Sequence, residues 1–347
     1  MQSIQSLRDE IINSKAKYNI IELIPDDLEL GDGSERKSGP FTTHADDSSS
    51  SLEIGVHKRA YLEMFMASHA YFYEHRQQLY NLQALSLVEL RETYLMTLGY
   101  LITTNENHTI IKVHAQTVAI LDNWLEDLEI VTSFLTCRMA RINKSSSLWA
   151  WLRRVVQKCS HKREHGSKLV IDDRCISRAL KSCDLHFANY YGNSFLRWCI
   201  EMEGYHEEFK SWWRQLAQLC DQRLSDSSLW GTLNFLLSRS RGENGEPRPR
   251  GYTSNLERHR FIVQKLAWLV RVNCKYRTPY RMLISAVDSL GQLQIIRHFV
   301  ERECDNSVEL GSNLLHVIET QVHDIESEGG HDENSEEYVE MKEWSNE

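Results

Sequence analysis

Apolar residues recur at spacings of three and four through most of this chain, the pattern of amphipathic helices. Residues 2–18 read as one short helix of this kind. Ile20 to Leu30 (IIELIPDDLEL) reads as an extended or turn segment around Pro25. Gly31 to Ser51 is rich in Gly, Ser, Asp and Lys and reads as a linker. Helical blocks then follow one another over 57–84, 86–102, 109–121, 122–140, 147–159, 171–186, 192–202, 205–223, 227–240, 256–273, 279–300 and 307–323. No segment alternates like a strand over more than a few residues. Two longer polar breaks, 160–168 and 241–254, read as loop insertions on the surface. The expected organisation is an N-terminal helix and extended segment (1–30), a flexible linker (31–55), a helical-repeat body (56–323) and an acidic, disordered tail (324–347).

The blocks carry an internal echo. SSLWAWLRRVV begins at Ser146 and SSLWGTLNFLL at Ser227, 81 residues later. Half that interval places a further unit at Ala188–Ile200 (ANYYGNSFLRWCI), and two more fit at Glu106–Val118 and Tyr276–Ala286. The Ala188–Ile200 unit has the same layout: a polar turn, an aromatic, then an apolar helix face. The leading Ser, Asn or Asp suits an N-cap, whose side chain accepts from free N–H groups of the first turn. Trp149 and Trp230 then enter that turn and pack on a neighbouring helix pair. One pair cannot bury its own stripe, but stacked pairs can.

Composition strengthens the helical reading. The chain has 347 residues and only five prolines, none between Pro40 and Pro247; an average chain of this length has roughly 17. Proline breaks helix interiors, so its absence suits helix after helix. The net charge of −9 lies in the last segment: Gln321 to Glu347 has ten acidic residues and one lysine, which leaves 39 of each sign before it. A balanced body does not point to nucleic acid or anionic membrane, and no nucleic-acid partner is expected. No run of 18 apolar residues occurs, so no transmembrane segment is expected. The start lacks the order of a secretory signal. Eight scattered cysteines with no CxxC read as reduced, mostly buried thiols. The expected location is cytoplasmic.

The units around Asn143–Arg154, Asn189–Tyr191 and Asp226–Trp230 resemble the repeat of protein prenyltransferase alpha subunits, over about Arg91 to Ser289. Ile20 to Pro25 also resembles the entry of the branch that supplies the alpha subunit of type III geranylgeranyltransferase. Ile111, Asn193 and Tyr280 depart from the tryptophan of that repeat. The resemblance implies an all-α fold, a right-handed α-α superhelix or crescent solenoid of antiparallel helix pairs. It implies a heterodimer with a Rab-type beta subunit that carries zinc, geranylgeranyl diphosphate as co-substrate, and a lipidated SNARE-type acceptor protein. This chain would bind no cofactor itself.

By the same resemblance Lys144 maps onto the lysine that stabilises the leaving diphosphate. Read from the residues alone, it is an ordinary lysine of a turn. Asn189, Tyr190 and Tyr191 either bond the diphosphate or close their turn. Trp149, Arg153, Arg154, Trp230 and Tyr280 take the structural positions of the repeat, with the two arginines expected in salt bridges between helix pairs. Cys159, His161 and His165 have only loose metal-ligand spacing. The competing reading is a non-catalytic, tetratricopeptide-like scaffold that binds a partner protein.

Overall fold

A computed structural model describes residues 1–26, 40–46, 50–163, 171–203, 209–241, 247–249, 255–303 and 308–327. The described residues are mostly helical, as the periodicity predicts. Two compact units divide the chain, Met1–Met202 and Glu203–Glu347.

The first unit opens with α1 (Gln2–Asn13), which buries Ile4, Leu7 and Ile11, spaced three and four apart. Three strands follow: β1 (Tyr18–Ile24), β2 (Phe41–Asp46) and β3 (Ser51–His57). They form one sheet of order β1-β3-β2. β1 runs parallel to β3, with Ile21 opposite Ile54, and β2 runs antiparallel to it, with Thr43 opposite Ile54. β2 and most of β3 lie within the segment expected as a linker, and the 2–18 helix stops at Asn13 to let the chain extend. The strand signal is weak for a physical reason. Asn19, Ile20 and Ile21 are all buried in succession, so β1 shows no alternation.

Helices α2 (Lys58–His75), α3 (Leu87–Thr103), α4 (His108–Leu121), α5 (Trp124–Leu135), α6 (Ala140–Asn143), α7 (Ser146–Arg163), α8 (Asp173–Leu185) and α9 (Tyr190–Glu203) complete this half. Helix α5 packs against α1, α7, α8 and β1. Its C-terminal end holds the strand. Thr136 Oγ1 donates to Asn19 O at 2.7 Å, Arg138 N donates to Ile21 O at 2.7 Å, and Asn19 Nδ2 donates to Ser133 Oγ at 3.1 Å. Arg178 of α8, almost wholly buried, donates to Lys17 O at 3.0 Å and pairs with Glu129.

Gly99 lies where α3 meets α1 and α2. A Cβ there would fall 2.1 Å from Ser68 Oγ and 2.5 Å from Ile4 Cδ1. Gly99→Ala should therefore destabilise the fold by about 1–3 kcal/mol through overpacking, against a gain of roughly 1 kcal/mol in helix propensity. Urea unfolding checks the sign; an increased midpoint would contradict the close approach.

The second unit contains α10 (Phe209–Gln222), α11 (Ser227–Leu237), α12 (Asn255–Arg271), α13 (Arg277–Ile284), α14 (Leu290–Glu303) and α15 (Val308–Ser327), with a short pairing of β4 (Arg239–Arg241) and β5 (Pro247–Pro249). Its core is aliphatic around Trp230, Leu233, Leu266, Tyr280 and Ile296. The block expected over 279–300 is two helices. Ile284, Val287, Leu290 and Leu293 recur every third residue and carry the periodicity across the break. There Asp288 accepts from Arg258 Nη2 at 2.6 Å. The segments 164–170, 242–246, 250–254 and 328–347, which include parts of both expected loop insertions and the acidic tail, lie outside the described residues.

Candidate functional site

The five units share a register at their helix starts. Asn107 caps α4, accepting from Thr109 N and Ile110 N. Ser145 Oγ accepts from Leu148 N at 3.2 Å, Asn189 Oδ1 from Gly192 N at 3.0 Å, and Asp226 Oδ1 from Ser228 N at 3.0 Å. Tyr276 stands at the same place before α13 without a side-chain cap. Four residues after these caps come Ile111, Trp149, Asn193, Trp230 and Tyr280. Trp149 Nε1 donates to Asn143 O at 2.7 Å, and Tyr280 OH donates to Cys274 O at 3.2 Å. Both bonds reach back six residues and fasten the turn before the helix. Trp230 fills the position too, but its Nε1 has no partner among the described residues.

The polar residues around these turns mostly bond inward. Asn189 is fully buried; its amide donates to Asn143 Oδ1 at 2.6 Å and Ser182 Oγ at 3.2 Å. It closes the turn. Lys144 Nζ donates to Phe187 O at 2.7 Å, tying the α6–α7 turn to the α8–α9 turn. Tyr190 and Tyr191 do face solvent, 61% and 41% exposed, edge to face with ring centroids 5.4 Å apart. Arg153 donates to Ser194 Oγ at 2.8 Å and lies over the Trp198 ring, while Arg154 is exposed. Among the described residues neither arginine makes the salt bridge expected of it.

Glu106, in the turn before α4, accepts from three serines: Ser145 at 2.6 Å, Ser147 at 2.6 Å and Ser146 at 3.1 Å. Burial pushes its carboxyl up, but these hydrogen bonds outweigh that and hold it below the usual range.

A second cluster has the residue types of an active site. Asp127 of α5 accepts from His114 Nε2 at 2.9 Å, Tyr94 OH at 3.1 Å and Trp151 Nε1 at 2.7 Å. His114 Nδ1 faces Thr97 Oγ1 at 2.8 Å. The His114 and Asp127 side chains have no exposure at all. Burial, and then the Asp127 charge, push the Tyr94 phenol well above its ordinary value. With no opening to solvent, this network clamps α3, α4, α5 and α7 together and has no place for a substrate. The periodicity of the sequence did not single it out; a histidine and an aspartate on otherwise apolar faces were its one visible signal.

Among the described residues no group of three or more His, Cys, Asp or Glu side chains gathers as a metal site would require. The side chains of His161 and His165 lie outside the described residues. Seven cysteines are described, all buried and with no disulfide among them, and burial pushes the Cys137 thiol up to about 12. No described helix is long and apolar enough to cross a membrane.

Residues 1–136 match the family model of the ECM9 N-terminal domain, and residues 148–259 match that of the ECM9 middle domain. The similarity is to ECM9. Protein ECM9 of Saccharomyces cerevisiae (strain ATCC 204508 / S288c) is 26% identical over 204 residues, which cover 56% of this chain and 51% of that protein. The chain thus aligns with about half the length of this curated ECM9 relative. The ECM9 matches overturn the resemblance to prenyltransferase alpha subunits, and with it the reading as a geranylgeranyltransferase subunit and as an enzyme of that kind. The physical reason is plain in the geometry. The motifs that carried the resemblance are helix caps followed by a large residue in the first turn, a device open to any stack of capped helices. Zinc on a beta subunit, geranylgeranyl diphosphate, a Rab-type beta subunit and a SNARE-type acceptor came only with that resemblance and are not carried further. The boundary between the two units, at Met202, falls inside the ECM9 middle match.

Proposed function

We propose that this chain is a helical-repeat scaffold that holds a partner protein. One observation carries the reading: large apolar side chains stand exposed on single faces while the polar clusters are consumed internally. Leu62, Met66 and Tyr73 recur at one helical spacing on α2, each more than half exposed, and Tyr80, Leu87 and Val88 follow them outward. Exposed apolar residues that recur on one helix face suit a protein contact. The shared register of the helix starts supports the repeat architecture. Buried cysteines with no disulfide among the described residues fit a reducing compartment such as the cytoplasm.

A photoreactive residue at Met66, introduced into the full chain in its own cells, should give one discrete protein adduct. The adduct should disappear when Leu62→Asp is added, and a probe at exposed Glu92 should not give it. Absence of a discrete adduct from Met66 would remove the reading.

A further inference from the structure

We infer that the exposed face of α7 and α9 binds an acidic segment of a partner protein, one in which carboxylates stand beside apolar side chains. This rests on the scaffold reading and names a second surface and its chemistry.

The charge pattern comes first. From Ser146 to Arg163, α7 has five Lys and Arg residues and no Asp or Glu. Arg154 and Lys158 are exposed, and neither makes an ion pair among the described residues. Arg153 is held on the facing helix by Ser194 Oγ and lies 5.9 Å from the centre of the Trp198 ring. Arg197 lies 5.9 Å from the centre of the Tyr190 ring. Tyr190, Ser194, Arg197 and Trp198 recur at the spacing of one face of α9, so both guanidiniums stand on the same side. Burial, together with the neighbouring Arg153 cation, lowers the pKa of Arg197, with Glu201 among the groups that act against it. The Arg153 guanidinium, already fixed over the Trp198 ring, loses little freedom when it grips a planar carboxylate.

The apolar part of the ligand follows from the rim. Phe187, Tyr190 and Tyr191 are exposed at the start of α9. From Tyr190 to Arg197 is about 10 Å along the helix, at roughly 1.5 Å per residue. An extended segment covers that in about three or four residues. Nucleic acid fits less well. A base-stacking platform needs open ring faces. Here Tyr190 is packed edge to face on Tyr191, and its own face is taken by Arg197.

The test uses the full chain and a fluorescein-labelled octapeptide of alternating glutamate and leucine, with a lysine–leucine peptide and a short single-stranded DNA of equal charge as controls. The acidic peptide should bind and the basic one should not. Arg154→Glu with Lys158→Glu should weaken it roughly tenfold. Tyr190→Ser with Tyr191→Ser should weaken it about threefold by loss of rim contact. All four positions are exposed or rim positions, and circular dichroism confirms the fold of each variant. Equal binding of both peptides, no effect of the charge reversal, or tighter binding of DNA would overturn the assignment. If the Met66 probe still captures its partner while the acidic peptide fails, only this surface is wrong. If the Met66 probe captures nothing, the scaffold reading has failed, whatever the peptide does.

Discussion

Asp127→Ala should lower the stability of the chain by about 3–5 kcal/mol, the cost of breaking a buried polar network by removing one partner. Three donors converge on this carboxylate: His114 Nε2, Tyr94 OH and Trp151 Nε1. None of them can reach water instead, because the surrounding helices close over it. Each loses its acceptor without regaining solvent, which is the expensive case. Native proteins have a margin of about 5–15 kcal/mol, so the variant should be marginal at 25 °C. Asp127→Asn separates charge and shape. Its single amide oxygen can serve either the His114–Tyr94 side or Trp151, and its amide N–H then confronts the donor left over. We expect a smaller but clear loss. Urea titration of both variants decides it. A shift below about 1 kcal/mol for Asp127→Ala would mean that water replaces the carboxylate and that the cluster is open.

His259→Leu should stabilise the second unit and remove an acid-sensitive part of its unfolding curve. His259 is buried, and neither ring nitrogen has a hydrogen-bond partner among the described residues. Burial, then the adjacent Arg258 cation, lowers its pKa to about 4. The sign follows from linkage. The folded value lies below the unfolded one, so the unfolded chain takes up the proton first as pH falls. The neutral ring therefore costs nothing extra above about pH 6.5. Stability falls between there and pH 4, by about 3 kcal/mol in all. Leucine does not titrate, and it fills the site without two stranded nitrogens. Thermal melts of the two proteins at pH 7 and pH 4.5 should diverge most at the lower value. Parallel pH profiles would show that His259 is hydrated or paired.

The helices were legible because their faces are regular. Leu229, Leu233, Leu236 and Leu237 on α11, or Ile262, Leu266 and Leu269 on α12, place their blocks to within a few residues. The caps were legible as well: Ser145, Asn189 and Asp226 stand where short polar side chains belong before a helix. What failed was either buried on both sides or read from too little. β1 is apolar without alternation, and the segment leading to β2 and β3 is dominated by turn-forming residues. The break at Asp288 is hidden under a spacing of three that passes for helix. Asn189 and Lys144 were left open between a ligand and a turn; in the fold Asn189 bonds Asn143 and Ser182, and Lys144 bonds Phe187 O. Sequence spacing fixes the position of a side chain on a turn, but not whether it points to solvent or to the next helix. The family resemblance erred for the same reason, since a cap and an aromatic define a way to start a helix, not a lineage.

Arg178 gives the ECM9 boundaries a physical meaning. It lies in the middle match, yet it holds Lys17 O, Thr132 and Glu129 of the N-terminal match. Within the first unit, two stretches that sequence similarity separates near residue 136 are therefore tied together around α5. Inheritance and cooperativity draw different lines through this protein. A chain cut between the two matches would leave the Arg178 guanidinium with nothing to hold, and Lys17 O and Thr132 Oγ1 without their donor.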